Sequence, residues 1–485
     1  MLLCFFLLES GNMVTFLLSI LALLAGYFFY GKYVARIFGI DDTRKTPAVL
    51  HPDGVDFMVL PPWKAFVIQF LNIAGLGPIF GAVLGAAYGP MAYLWIVFGC
   101  IFMGATHDFF SGMLSLRNDG ASIPEIVSKY LGKKSAIFIR VFTMILLICV
   151  GVSFVKGPAE LLVQFSGGNL YVWVIAIFTY YLLATLLPIN QIIGRIYPFF
   201  GFALLAMAVM IGGAMIIMSF SGELHLQELT FSSFANMHSK PGENILFPML
   251  FIVISCGALS GFHSTQSPLI ARTMSKESEG RTTFYGSMIA EGIVALIWAT
   301  AAMNFFGGVE NLNEQAGLGM SPAKIVNAVC NSWLGEVGAI LAVIGVVACP
   351  ITSGDTAFRS SRLLVADVFK IDQKSIWKRI MICIPIFAIA ILMTEVNFGT
   401  IWNYVGISNQ VLATVMLWTI TSYLRQEKKN FYITFLPSIF MTYICVSYFM
   451  IAPNTAGGLA LPDYISYIVA GVIDIFAIIM FLWKR

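Results

Sequence analysis

The chain has 485 residues, of which 59% are hydrophobic and only 11% charged, with a net charge of +3 and a mean hydropathy of +0.85. A soluble domain carries about 25% charged residues, and no water-facing skin could cover this much apolar surface, so a bilayer is the solvent that fits. The near-neutral balance lacks the basic footprint of a nucleic-acid-binding protein and excludes that class.

The first apolar run, at residues 1–8, has no basic stretch before it and so does not read as a signal peptide. Met13 is an alternative start, and the next apolar run follows at once. A stretch of about 20 apolar residues crosses the hydrocarbon layer as a helix. Thirteen such spans are predicted, at roughly 13–37, 65–87, 90–115, 136–164, 170–189, 197–220, 245–271, 283–306, 337–363, 379–397, 401–423, 431–450 and 463–483. Their apolar runs are continuous, whereas barrel strands alternate over about ten residues. The fold class is therefore all-α and membrane-spanning. Basic residues crowd one set of loops, from Lys32, Arg36, Arg44 and Lys45 through Arg117, Lys129, Arg195, Lys276 and Lys370 to Lys428, Lys484 and Arg485. The opposite set carries Glu223, Glu228, Glu243, Glu310, Glu314 and Glu336. The positive set belongs in the cytoplasm, which puts the N-terminus outside and the C-terminus inside a bacterial inner membrane. The longest loops, near 38–63, 221–244 and 307–336, are too short for a soluble domain, and no Walker A pattern is present for ATP-driven work. The eight cysteines include no C-x-x-C pair, so spacing signals neither a disulfide framework nor a zinc site, and no metal is expected.

Two spans contain interruptions that a lipid-facing helix avoids. The second reads Gln69-Phe70-Leu71-Asn72-Ile73-Ala74-Gly75-Leu76-Gly77-Pro78, and the seventh reads Gly257-Ala258-Leu259-Ser260-Gly261-Phe262-His263-Ser264-Thr265-Gln266-Ser267-Pro268. Glycine weakens a helix and proline removes a backbone donor, and backbone groups freed inside a bilayer must line a polar cavity or find protein partners. Close helix packing would account for Gly81 and Gly85 alone, but it does not require six polar side chains at one depth. The second span opens a group of five, residues 65–221, and the seventh opens another, residues 245–424. Five is odd, so the groups enter the membrane from opposite sides. Residues 1–64 supply an extra leading span and cytoplasmic loop, and residues 431–485 supply two trailing spans. Broken helices at matching positions of two inverted halves point to a transporter's binding site at the membrane midplane.

Ionisable residues at bilayer depth are functional candidates. Thr352, Ser353, Asp355 and Thr356 offer oxygen ligands to a hard cation such as Na+, or Asp355 carries a coupling proton. An intrahelical pair between Asp355 and Arg359 is the plainer alternative. Glu291, alone among apolar neighbours, suits a proton carrier or a buried structural hydrogen bond. His107 and Asp108 read as a structural or gating pair, because no third metal ligand has suitable spacing. His263 is the histidine expected to touch a solute. Lys156, Glu160 and Glu395 fall near span ends and are expected to snorkel. Asp474 lies outside both groups of five.

Several segments together resemble the carbon starvation protein A (CstA) family: Ala74-Gly75-Leu76-Gly77-Pro78 with Gly81, His107-Asp108-Phe109 followed by Arg117-Asn118-Asp119-Gly120, Gly257 to Ser264, Thr352 to Thr356 with Arg359, and Gly406 to Ala413. The resemblance implies a transporter of peptides or pyruvate in the amino acid–polyamine–organocation superfamily, serving nutrient uptake in carbon starvation. It implies a fold like the leucine transporter, with a 5+5 inverted repeat. It also implies solute held at the two breaks, here Asn72, Ala74, Gly75, Gly77 and Pro78 with Gly257, Ser260, Gly261, His263, Ser264, Thr265 and Gln266, and a cation between residues 73–77 and 352–356. Two departures touch that site: Gln69 to Asn72 stand where family members carry a histidine pair, and Ser264-Thr265-Gln266-Ser267 replaces a Gly/Thr-rich run. The reading is an H+- or Na+-coupled symporter for a small carboxylate-bearing solute (a peptide, pyruvate or an amino acid), with a channel, facilitator or membrane sensor as rivals and no enzymatic constellation.

Overall fold

The computed structural model describes residues 13–166, 168–187, 193–396 and 398–483. The apolar stretch before Met13 and the basic pair Lys484 and Arg485 lie outside the described residues, as does the side chain of Arg195. Among the described residues the protein is all helix, with no strand.

The helices that build the bundle are α1 (Val14–Phe38), α2 (Pro62–Ile73), α3 (Gly77–Ala86), α4 (Met91–Arg117), α5 (Lys133–Ser166), α6 (Leu170–Leu186), α7 (Ile193–Phe220) and α8 (Leu246–Val253). They continue with α9 (Gly261–Ala271), α10 (Glu277–Phe305), α11 (Pro322–Val343), α12 (Cys349–Phe369), α13 (Ile376–Met393), α14 (Phe398–Gln426), α15 (Tyr432–Ile451) and α16 (Asp463–Trp483). Eight of the described helices are long and apolar enough to cross a bilayer, or nine if the bent pair α2/α3 is one span. This makes the chain a multi-pass membrane protein. Length and composition alone therefore give fewer spans than the thirteen predicted ranges. The difference lies in α2/α3 and α8/α9, which are broken, in α6, which has 17 residues, and in α12 and α14, whose polar residues dilute their hydropathy.

Burial sorts the helices. In α10 and α4, 83% and 78% of the apolar window is enclosed by protein, against 22% in α16 and 28% in α1. The first pair is the centre of the bundle and the second its lipid-facing rim, as an all-round apolar helix requires one or the other. Around the centre, α5 lies along α12 and α14, α2 along α7, and α9 against α4 and α14.

Local sequence explains the breaks. Prolines 61 and 62 start α2, where a missing N–H costs nothing. The helix ends at Ile73, and the chain turns by 53° before α3. α3 then begins on a wide π turn at Gly77–Gly81. Similar wide turns interrupt α4 at Trp95–Gly104 and α10 at Arg281–Gly286. In the seventh predicted span, residues 254–260 are not helical, and Gly257 sits at φ +91°, where a side chain is strained. The two breaks lie on one another. A Cβ at Gly77 would overlap the side chain of Cys256, and one at Gly81 would come within 2.9 Å of the Val253 carbonyl oxygen.

Gly261 marks an equally close approach, because a Cβ there would press on the backbone of Asn409 and Ala413. Backbone cannot move aside as a side-chain tip does. Gly261→Ala is expected to cost about 1–3 kcal/mol by overpacking, read as a lower melting temperature in detergent. An unchanged melting temperature would mean that α9 and α14 part freely.

Candidate functional site

The site forms where the α2/α3 and α8/α9 breaks face α4, α10, α12 and α14. At the first break, Asn72 and Gln69 are buried, and no amide atom of either finds a hydrogen-bond partner among the described residues. Such groups are costly in an apolar interior. At the start of α9, Ser264, Thr265 and Ser267 donate back to the carbonyls of Gly261, Phe262 and His263. Each hydroxyl thereby spends its one donor and keeps acceptor capacity. Gln266 donates to Thr265 Oγ1 at 2.9 Å, while its own oxygen is unpartnered among the described residues. Cys256 Sγ contacts Ser260 Oγ at 3.7 Å, and Asn409 Oδ1 accepts from the Phe262 N–H at 2.5 Å, which ties α14 to the first turn of α9.

Behind the second break lies a chain of four fully buried ionisable groups. His107 Nδ1 is 2.8 Å from Asp108 Oδ1, and His263 Nδ1 is 2.9 Å from Asp108 Oδ2. His263 Nε2 is 3.4 Å from Glu291 Oε2. Asp108 thus bridges the two imidazoles, with one carboxylate oxygen facing each Nδ1. The sequence reading paired His107 only with Asp108. The structure adds His263 from 155 positions away and Glu291 beyond it, joining α4, α9 and α10.

The oxygen-bearing residues of α12 do not converge. Ser353 Oγ donates to the Leu71 carbonyl at 3.0 Å and lies beside Gly75, so it belongs to the first break. Thr352 and Thr356 donate to carbonyls of their own helix. Asp355 instead meets two tyrosines: its Oδ2 accepts from Tyr197 at 2.5 Å and from Tyr180 at 3.2 Å. Its Oδ1 has no partner among the described residues. Arg359 forms its ion pair with Asp56 at 3.1 Å, not the i,i+4 pair with Asp355 that spacing suggested, because its guanidinium points along the helix to the loop before α2. Lys156 reaches the end of α13, where it donates to the carbonyls of Thr394 and Val396.

A cavity of about 100 Å³ joins the breaks, lined by Gly77, Gly81, Cys256, Phe262 and Asn409 among others. A second cavity of about 270 Å³ shares Leu84, Trp402 and Asn403 with it and reaches Glu160 and Ser321. Asn409, Tyr180, Tyr197 and Asp56 were missed as site residues. Asn409 carried a signal, a polar residue at bilayer depth in a quoted segment; the others did not.

The family model described as carbon starvation protein CstA matches residues 11–156, 138–339 and 310–448. An uncharacterized membrane protein of Haemophilus influenzae is 42% identical over 362 residues, which cover 65% of this chain and 98% of that protein. The chain belongs to the carbon starvation protein CstA family. Several relatives carry functional names. The pyruvate/proton symporter BtsT of Escherichia coli is 28% identical over 347 residues, 59% of this chain and 48% of BtsT. The peptide transporter CstA of Bacillus subtilis is 25% identical over 545 residues, 90% of each chain. The chain thus spans about half the length of BtsT and most of the length of the B. subtilis CstA.

His263 is the residue that links the break to the buried chain of charges. His263→Ala leaves Asp108 and Glu291 without the imidazole between them and is expected to weaken solute binding tenfold or more, about 1.4 kcal/mol. Asp474→Asn, on the rim helix α16, is expected to leave it unchanged. The reverse order in a binding assay would move the solute site elsewhere.

Proposed function

We propose that this CstA-family chain is an ion-coupled secondary transporter that imports a small carboxylate-bearing solute (a peptide, pyruvate or an amino acid) across the inner membrane. One observation carries the reading: two broken spans meet face to face over a cavity, with unpartnered polar groups at membrane depth. Two helices start at the breaks, at Gly77 and at Gly261, and helix N-termini favour anions. The functional names of the relatives, a peptide transporter and a pyruvate/proton symporter, support the same class of solute.

In this reading residues 65–221 and 245–424 are the inverted five-helix repeats, preceded by α1 and followed by α15 and α16. The N-terminus is outside, so the cavity that reaches Glu160 and Ser321 is the outer vestibule. The solute contacts Asn72, Ala74, Gly75, Gly77 and Pro78 from one break and Gly257, Ser260, Gly261, His263, Ser264, Thr265 and Gln266 from the other. The coupling ion is a proton on Asp355 or Glu291, or Na+ between the first break and Thr352, Ser353 and Thr356. Rocking of one bundle of helices against the other exposes the site to each side in turn.

The test is uptake of labelled pyruvate, amino acids and di- and tripeptides into proteoliposomes, with proton and sodium gradients imposed separately. Accumulation above the equilibrium ratio under one gradient names the solute class and the ion. Equilibration without accumulation under both would replace the symporter with a facilitator.

A further inference from the structure

Three side chains of metal-binding type, from two different predicted spans, meet where the second break touches the cavity. Cys256, His263 and Glu291 are buried, and one ligand-type atom of each lies within 4.8 Å of the other two. His263 Nε2 and Glu291 Oε2 are 3.4 Å apart, longer than the roughly 2.7–3.2 Å of an N–H···O hydrogen bond. Among the described residues, neither that nitrogen nor either oxygen of Glu291 has a hydrogen-bond partner. Two ligands at about 2.1 Å from a tetrahedral ion stand about 3.4 Å from each other, so this pair is spaced like one edge of such a site. The remaining nitrogen of His263 is held by Asp108 at 2.9 Å. A carboxylate behind a histidine is the arrangement that fixes the tautomer and ring direction of a metal-bound imidazole.

We propose that Cys256, His263 Nε2 and Glu291 bind a divalent transition-metal ion of the zinc class, with Asp108 as the positioning residue. A thiolate, an imidazole and a carboxylate suit zinc-like ions and not Mg2+ or Ca2+, which take oxygen ligands. Three protein ligands leave one coordination position, and Cys256 lines the central cavity. Through Cys256 the site borders the cavity, from which a carboxylate-bearing solute takes that position. This last step rests on the transport reading above; the metal site does not.

The full chain, purified in detergent and stripped with a chelator, is titrated with Co2+ and then Zn2+. The expected result is stoichiometric Co2+ binding with a near-ultraviolet thiolate-to-cobalt band and tetrahedral visible bands, both lost when Zn2+ displaces the cobalt. Cys256→Ser removes the near-ultraviolet band. Asp108→Asn keeps it but weakens affinity about 10–100-fold. The wild-type chain gives an independent reading: Zn2+ protects Cys256, but not Cys100 or Cys349, from a small alkylating reagent, followed by peptide mass spectrometry. A wild-type chain without the thiolate band, or a band unchanged in Cys256→Ser, overturns the site. None of these readouts needs transport, so absent uptake with an intact cobalt band would overturn the transport reading and leave the metal site standing.

Discussion

Asp355→Asn is expected to abolish accumulation while leaving insertion and solute exchange intact. The carboxylate is fully buried, with two tyrosine hydroxyls on one oxygen and none on the other. Asparagine keeps the shape and one acceptor but neither ionises nor carries a proton. With a zwitterionic peptide or amino acid as solute, one coupling ion carries one net charge across and draws about 2.3 kcal/mol from each 100 mV, roughly a fifty-fold accumulation ratio. The variant should lose that factor under an imposed potential, and counterflow exchange in the same vesicles should persist. Full accumulation by the variant would remove Asp355 from coupling and leave Glu291 as the candidate carrier.

Asp56→Asn is expected to be the most destabilising polar substitution in the loop before α2. Asp56 is 3% exposed and faces two buried guanidiniums, Arg359 at 3.1 Å and Arg362 at 3.3 Å. Its loop is fixed from both sides. Asp53 accepts the backbone N–H groups of Val55, Asp56 and Phe57, and the N–H groups of Met58 and Leu60 donate to the carbonyls of Arg272 and Thr273. Burial pushes the Asp56 carboxyl up, but Arg362 and then Arg359 outweigh it and hold it below the usual carboxylate range. With a depressed pKa, its stabilisation is present above the unfolded value near 4 and is lost only as pH falls through the folded value. Melting between pH 5 and 8 should therefore not report on this group. Removing one partner of a buried pair costs about 3–5 kcal/mol, because the charge left behind is uncompensated. A large fall in melting temperature is expected, with partial recovery when Arg362→Gln is added. A melting temperature equal to wild type would mean that water already screens the two arginines.

The broken spans were legible because their signal is local: Gly75, Gly77 and Pro78 in one apolar run, and Gly257, Gly261 and a polar cluster in another. The same locality limited the rest. Asp56 sits in a polar loop with no periodicity, and nothing near it in sequence announces Arg359 and Arg362 some 300 positions later. Tyr180 and Tyr197 look like ordinary members of apolar helices until the fold turns them to Asp355. Cys256 gave no metal signal because spacing rules concern ligands on one short segment, whereas Glu291 lies on another helix. The oxygen-rich turn of α12 shows the same limit from the other side. Neighbours in sequence looked like one ligand set, but the helix sends Ser353 and Asp355 to different partners.

The contact between the two breaks has a mechanical consequence. Gly77 rests on the side chain of Cys256 and Gly81 on the carbonyl of Val253, so the two backbones are at most one small side chain apart. Tilting one broken span therefore carries the other with it, and the pair behaves as one fulcrum shared by both halves. A lever with one fulcrum cannot raise both ends at once. In the proposed transporter, one joint shared by both halves would keep the two mouths of the site from widening together.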